Sequence, residues 1–336
     1  MRIDFFQHCV YFGLLLLPLA GCHPAAPAET AYPLTTPASR VKPWDTPYVA
    51  DGRVFITPHY KMFVGAKRPE LANILPGFME GAYENYLALT GLTPREHLAP
   101  MTLYMMADRA QWVTITKALV TQNLDVYLRI EAGGFCYRGT GVFWDIGGLG
   151  SLQVASHEGL HQFLYFHLTD RVPLWLEEAL GTAAEGFAQY NDRVVFSPHY
   201  NTGRVANLQS AIAGGRLIPL PRLLTMHAGD AVGQGRPGMA VEYYAQLWSL
   251  ITYLRGNPAW RAGTERMLAD AAAGKLGEGL GKSPREWTAL RQSGNAYFRV
   301  IGELAFRRYI TDDLQAFEQG LRDHQQQLAG FKKGQP

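Results

Sequence analysis

The sequence predicts an α+β fold, with a sheet-bearing N-terminal half followed by a mainly helical C-terminal half. Three observations carry that expectation. Strand-like stretches at 53–64, 101–106 and 137–146 fall in the first half. Beyond about residue 150 the chain reads mostly as helix, apart from a loop-rich stretch, to about residue 330. Between the halves lies Val154–Phe163, an otherwise uncharged or apolar stretch built around H-E-x-x-H. Composition fits a globular chain: 47% of the 336 residues are hydrophobic, enough for a sizeable core, and 18% are charged. The net charge of +2, with basic residues scattered and no basic patch interleaved with aromatics, argues against a nucleic-acid surface.

The first 21 residues read as a secretory signal, with Arg2 ahead of an apolar run from Val10 to Ala20. That run is shorter than the roughly 20 apolar residues a membrane span requires. It stops at Leu19-Ala20-Gly21-Cys22, which resembles the lipobox of bacterial lipoproteins. The resemblance implies a lipid on Cys22 as the membrane anchor. His23 stands where an inner-membrane retention Asp would be, which points to the outer membrane, facing the periplasm. The competing reading is an ordinary signal peptide with an incidental cysteine. Residues 22–45, rich in Pro and Ala, read as a tether. Cys9 leaves with the signal and Cys22 is the anchor, so Cys136 has no intramolecular partner and reads as a small buried apolar residue.

Residues 46–150 read as an α/β subdomain and 151–330 as a zinc-site and helical one. Arg53 to Val64 predicts a strand or hairpin. Glu70 to Thr90 predicts a helix containing Pro76 and ending at Gly91. Met101–Met106 is a strand, and Asp108 is the N-cap of a helix reaching Val120. Tyr137 to Ile146 is β-rich; within it Val142–Asp145 is either a core strand or an exposed edge able to take up an extended peptide. Ser151 is placed to cap the next helix after the run Gly147-Gly148-Leu149-Gly150. Residues 192–240 are loop-rich, 241–254 form a helix with a strong apolar face, and 257–330 are helical without readable chemistry.

The chemistry sits at the junction. His157 and His161 are one helical turn apart and face one way, as two ligands of one metal require. Glu158 follows the first ligand, where a carboxylate reaches a water on that metal. The competing reading, a core helix with two satisfied histidines, leaves a Glu on an apolar helix unexplained. Pro173 suits the first turn of a second helix that carries Trp175-Leu176-Glu177-Glu178 and Glu185. Glu185 lies seven residues after Glu178, on nearly the same face, either to orient a ligand or to meet solvent. His167 has the spacing of a third histidine ligand, but Leu164 stands where a helix-breaking Gly would be needed, so it continues along the helix and points away.

His157-Glu158-x-x-His161 followed by Trp175-Leu176-Glu177-Glu178 resembles the gluzincins, the Glu-ligand zinc peptidases of the peptidase MA clan, in a poorly characterised secreted branch. The resemblance is strongest over 137–185 and weaker to 254. It implies a zincin-like fold and one Zn²⁺ held by His157, His161 and Glu178, with Glu158 as general base. It further implies a tyrosine after the site that steadies the oxyanion, Tyr244 first and Tyr243 second. The family's Gly-x-Ala after the ligand Glu reads Ala179-Leu180-Gly181 here. Gly77-Phe78-Met79-Glu80-Gly81 looks a little like the family's G-x-M-E-N exopeptidase motif, but it sits in a helical stretch and lacks the Asn, so aminopeptidase activity loses its main support. The implied function is an envelope-anchored zinc metallopeptidase acting on a peptide or protein. The alternatives are a zinc amidase acting on cell-wall peptides and a non-catalytic scaffold lipoprotein. Oligomeric state is not legible.

Overall fold

A six-stranded mixed sheet backs the two helices that carry the chemistry. The computed structural model describes residues 30–35, 40–65, 67–131, 133–232 and 238–331. The signal and Cys22 lie outside the described residues.

The strands are β1 (Ala31–Pro33), β2 (Arg40–Pro43), β3 (Arg53–Ile56), β4 (Tyr60–Val64), β5 (Met101–Met106), β6 (Gly134–Tyr137), β7 (Thr140–Trp144), β8 (Phe187–Tyr190) and β9 (Arg193–Phe196). The large sheet runs β2-β3-β4-β5-β7-β6, and a small one runs β1-β9-β8. The pairs β4–β5 and β5–β7 are parallel, and the remaining pairs of the large sheet are antiparallel. Helix α1 (Pro69–Thr90) makes the first crossover, and α2 (Arg109–Leu119) with α3 (Leu124–Leu128) lies in the second. Successive residues of a strand face opposite ways. Leu103, Met105 and Phe143 accordingly join the main core with α1, while Tyr104, Met106, Val142 and Trp144 pack with Trp112 of α2.

The chain then enters α4 (Gly150–His167) and α5 (Leu174–Ala184). All eleven residues of α5 are buried, as are His157 through Leu164 of α4. Helices buried all round belong at the centre of a fold. Around them lie α6 (Thr202–Ala213), α7 (Leu220–Thr225), α8 (Ala228–Val232) and α9 (Met239–Gly256). Then follow α10 (Pro258–Ala272), α11 (Leu276–Gly279), α12 (Pro284–Arg291), α13 (Asn295–Tyr309) and α14 (Leu314–Leu328). The fold is thus α+β with a mixed sheet, and one core cluster runs through both halves, from Leu34 to Leu321.

Local signals behave as their chemistry requires. The Asp108 side chain accepts a hydrogen bond from Gln111 N at the start of α2. Gly91 stops α1 in the left-handed region at φ 68°. Four expectations change. Val142–Asp145 is not an edge: β7 lies between β5 and β6, and β6 is the edge. The tight hairpin adds that outer strand. Ser151 does not cap α4, because Gly150 already begins the helix; its Oγ accepts from Ile146 N (3.0 Å) and donates to Asp145 (2.8 Å). Part of the expected tether is sheet, with Ala31–Pro33 paired to β9 and Arg40–Pro43 to β3. The loop-rich 192–240 stretch contains the twelve-residue helix α6, capped by the Asn201 side chain.

Candidate metal centre

Three ligand atoms from two helices converge. His157, His161 and Glu178 each offer one, and all lie within 4.8 Å of one another. Both Nε2 atoms face the same carboxylate oxygen of Glu178, at 3.4 Å from His157 and 3.8 Å from His161. All three residues are buried, Glu178 completely. The spacing puts the two histidines one turn apart on α4, and the packing of α5 against α4 brings Glu178 to them.

The far side of each imidazole is tied down. His157 Nδ1 lies 2.7 Å from Glu185 Oε1, and Glu185 in turn accepts from Arg204 at 2.8 and 2.9 Å and from Asn201 at 2.7 Å. His161 Nδ1 lies 3.4 Å from Glu177, which accepts from Arg171 at 3.1 Å. A carboxylate on Nδ1 turns Nε2 toward the metal position and raises its basicity. Glu185 therefore holds the His157 imidazole in place and does not meet solvent. Glu177, Arg171, Arg204 and Asn201 escaped the sequence reading. Only the adjacency of two glutamates on an otherwise apolar helix hinted at the first; Arg204 lies in the stretch read as loops.

The charges suit a cation. Glu158, Glu177, Glu178 and Glu185 bring four carboxylates, and Arg171 and Arg204 bring two guanidiniums. With neutral imidazoles, two negative charges remain, the amount a divalent cation offsets. Without a metal, the histidines take up that role. Burial alone would lower the His157 pKa, but Glu178, Glu185 and Glu158 outweigh it and raise it to about 10. His161 moves up in the same way, its burial overcome by Glu177, Glu178 and Glu158. Burial raises Glu185, yet Arg204 and His157 bring it down to about 2. Buried carboxylates at this density persist only when opposed by positive charge. The group thus has the donors, the geometry and the charge to hold a metal ion.

Two glycines allow the approach. A Cβ at Gly181 would stand 2.8 Å from both Nε2 and Cε1 of His157, so α5 passes the imidazole only because residue 181 has no side chain. The shifted glycine of Ala179-Leu180-Gly181 therefore has a local reason. A Cβ at Gly159 would meet the Tyr86 hydroxyl at 2.5 Å. That hydroxyl donates to Ser156 O at 2.7 Å and fastens α4 to α1. Gln162 Nε2 donates to Thr102 O and Gly139 O, fastening α4 to the sheet.

The remaining expected residues fall as follows. Glu158 is buried, and its charge acts on both imidazoles. The Tyr244 ring stands edge-on to His157 with centroids 6.2 Å apart, under the Arg204 guanidinium. Tyr243 packs against Tyr244 and is fully buried. His167 ends α4 stacked on Phe163, with Nδ1 donating to Phe163 O, and is not part of the metal group. Cys136 corrects its expectation: it is only half-buried, on the edge strand β6, where it lines a cavity of about 300 Å³. The hairpin turns the strand so that Cys136 faces this space. His161 and Glu177 form part of the same wall. Glu80 of the glycine-flanked segment lies on α1, bonded to His59.

The fold and site together define an α+β chain with a mixed sheet and a buried His₂Glu group fit for a metal. No protein-family model, curated protein or solved structure matches it.

Proposed function

We propose that the chain is a zinc-dependent peptide-bond hydrolase of zincin-like architecture, anchored in the bacterial envelope through a lipid on Cys22. One observation carries this reading: two Nε2 atoms and a buried carboxylate from neighbouring helices converge, and Glu158, the residue after His157, is buried with its charge felt by both imidazoles. Two imidazoles and one carboxylate suit zinc, whose catalytic sites keep one position open. His157, His161 and Glu178 would hold the ion. Bound zinc supplies Lewis acidity, activating a water and polarising the peptide carbonyl.

The chain's own groups do the rest. Glu185 with Arg204, and Glu177 with Arg171, hold the two imidazoles in one orientation. Glu158 accepts the proton of the attacking water and delivers it to the leaving amine. Tyr244 donates a hydrogen bond to the oxyanion as charge develops there. The β6 edge offers main-chain groups to an extended peptide, the role the sequence had suggested for β7.

The test is elemental analysis of a soluble form beginning after Cys22. About one zinc per chain, lost in His157→Ala and in Glu178→Ala, is the expected result. Glu158→Gln keeps the metal and loses peptide hydrolysis. A folded protein that takes up no zinc would overturn the reading.

A further inference from the structure

The charged residues that line the cavity beside His161 are already engaged with the protein. Arg171 donates to Glu177 at 3.1 Å, and Glu177 also faces His161. Arg291 stands 3.4 Å from Asp170, which accepts from Trp287 Nε1 and Leu276 N, each at 3.2 Å. Arg138 is exposed at the tip of the β6–β7 hairpin, lies over the Tyr137 ring at 5.3 Å and has a further contact. The wall thus offers a ligand paired charges rather than spare ones.

The rest of the wall is largely aromatic and aliphatic. Tyr137, Tyr297 and Phe298 line the space together with Leu164, Leu168 and Val172, all of them core residues. Both tyrosine hydroxyls are spent on the protein: Tyr297 donates to Arg171 O at 2.5 Å, and Tyr137 lies 3.2 Å from Thr121 Oγ1. Their ring carbons are what a ligand meets. Tyr297 stands at 82° to Phe298 with centroids 5.1 Å apart, and Arg171 lies over the Phe298 ring at 5.1 Å. The volume of about 300 Å³ is at the small end of ligand pockets, which span roughly 300–1,000 Å³. That is room for one large side chain rather than for a length of chain. Strand β6 supplies another part of the wall through Cys136. A peptide paired with the β6 edge sends every second side chain to the face that Cys136 presents. His161 and Glu177 line the same cavity, so that side chain lies beside the metal group.

We infer that this cavity is a specificity pocket for an aromatic side chain of the substrate, received by the rings of Tyr137, Tyr297 and Phe298. The inference rests on the hydrolase reading only for the ligand being a peptide. Rings pack edge to face or offset, as Tyr297 and Phe298 already do, and a substrate ring extends that packing. The guanidiniums of Arg138 and Arg171 keep their pairing and present flat cationic faces, which attract a ring and do nothing for an aliphatic chain. An aromatic side chain also brings the largest apolar area to the site, about 150–250 Å².

The experiment is calorimetric binding to the zinc-loaded Glu158→Gln protein, which holds peptides without cleaving them. The reference probe is N-acetyl-hexaalanine amide. The other probes carry Phe at each position in turn, then Leu or Glu at the position Phe favours. One Phe peptide is expected to bind tenfold or more tightly than the reference, since even a single buried methylene is worth about that much. The Leu peptide is expected to fall between them, and the Glu peptide to gain nothing. Two added substitutions fill the space, Cys136→Phe from β6 and Thr288→Trp from α12. Each is expected to bring the ratio of Phe to reference binding below threefold. Thr288 is an exposed helical residue, so its variant folds whether or not the first does. Equal or undetectable binding of all probes overturns the pocket. So does a Leu or Glu peptide that matches the Phe one, or a ratio left above threefold in the variants that fold. Cleavage by the unmutated protein is followed on the same peptides. Aromatic preference without cleavage removes the hydrolase reading and leaves the pocket standing; cleavage without preference does the reverse.

Discussion

The two histidines of the metal group are supported in parallel but unequally. On one side, His157, Glu185 and Arg204 form a dry chain: distances are 2.7–2.9 Å, Glu185 is fully buried and Arg204 is 11% exposed. On the other, His161, Glu177 and Arg171 are looser, at 3.4 and 3.1 Å, and Arg171 is 38% exposed at the cavity. The same three residue types therefore do different work. The closed side is a fixed anchor whose charges have no solvent to fall back on. On the open side His161 and Glu177 are buried too, but Arg171 is solvated and can change partners. Cost of disruption should follow burial rather than residue type.

Breaking the closed side gives the largest expected effect. Glu185→Ala strands the Arg204 guanidinium in the interior and frees His157 to rotate. Leaving a buried charge unpaired costs about 3–5 kcal/mol, and losing such an orienting carboxylate lowers metal affinity about 10–100-fold. Chelator competition and urea unfolding read the two losses separately. Intact stability would mean that water reaches Arg204 and that the two sides are not different in kind. Gly181→Ala comes next. Helix propensity favours it by about 1 kcal/mol, but its Cβ would strike the His157 ring. Overpacking of this kind costs about 1–3 kcal/mol, so we expect a net loss of stability together with weaker metal retention. A more stable, fully metallated variant would show that α5 can shift away from the imidazole.

The matching change on the open side is Glu177→Gln. The amide oxygen still accepts from His161 Nδ1, its NH2 then faces the Arg171 position, and Arg171 can turn to solvent. Unfolding free energy should stay within about 1 kcal/mol of the parent, with metal affinity falling about tenfold, the low end for such a partner. A loss equal to that of Glu185→Ala would erase the contrast between the sides.

How much of this was legible depended on range in the chain. The shared face of His157 and His161 follows from helical period alone, and the candidate ligand Glu178 from a short motif. Caps such as Asp108 and Gly91 are equally local. The role of Glu177 was not readable, because neighbours on a helix point about 100° apart and only the packing of α5 on α4 brings it to His161 Nδ1. Arg204 reaches Glu185 from nineteen residues away, on a helix hidden in a Gly- and Pro-rich stretch. The edge position of β6 is a property of strand order, which no local pattern encodes.

One more acid–guanidinium pair carries no histidine, and it separates electrostatics from metal binding. Arg68 donates to both oxygens of Asp145 at 2.5 Å, just ahead of α4, and Gly147 N and Ser151 Oγ donate to the same carboxylate. Burial raises the Asp145 pKa, but these hydrogen bonds and the Arg68 charge outweigh it, so the net shift is below the usual 3.8. Between the folded and unfolded values the unfolded chain binds more protons, so stability rises with pH across that window. The contribution is complete above the unfolded value and disappears as pH falls through the folded one. Arg68 is 40% exposed, which screens the pair and holds the expected cost of Asp145→Asn near neutrality to about 1 kcal/mol. Unfolding curves of parent and variant should therefore separate at pH 7 and draw together below about pH 4, the range where an ordinary Asp protonates. A gap that stayed constant with pH would assign the role of Asp145 to the geometry of its hydrogen bonds rather than to its charge. The comparison of the two histidine supports would then also have to be argued from shape.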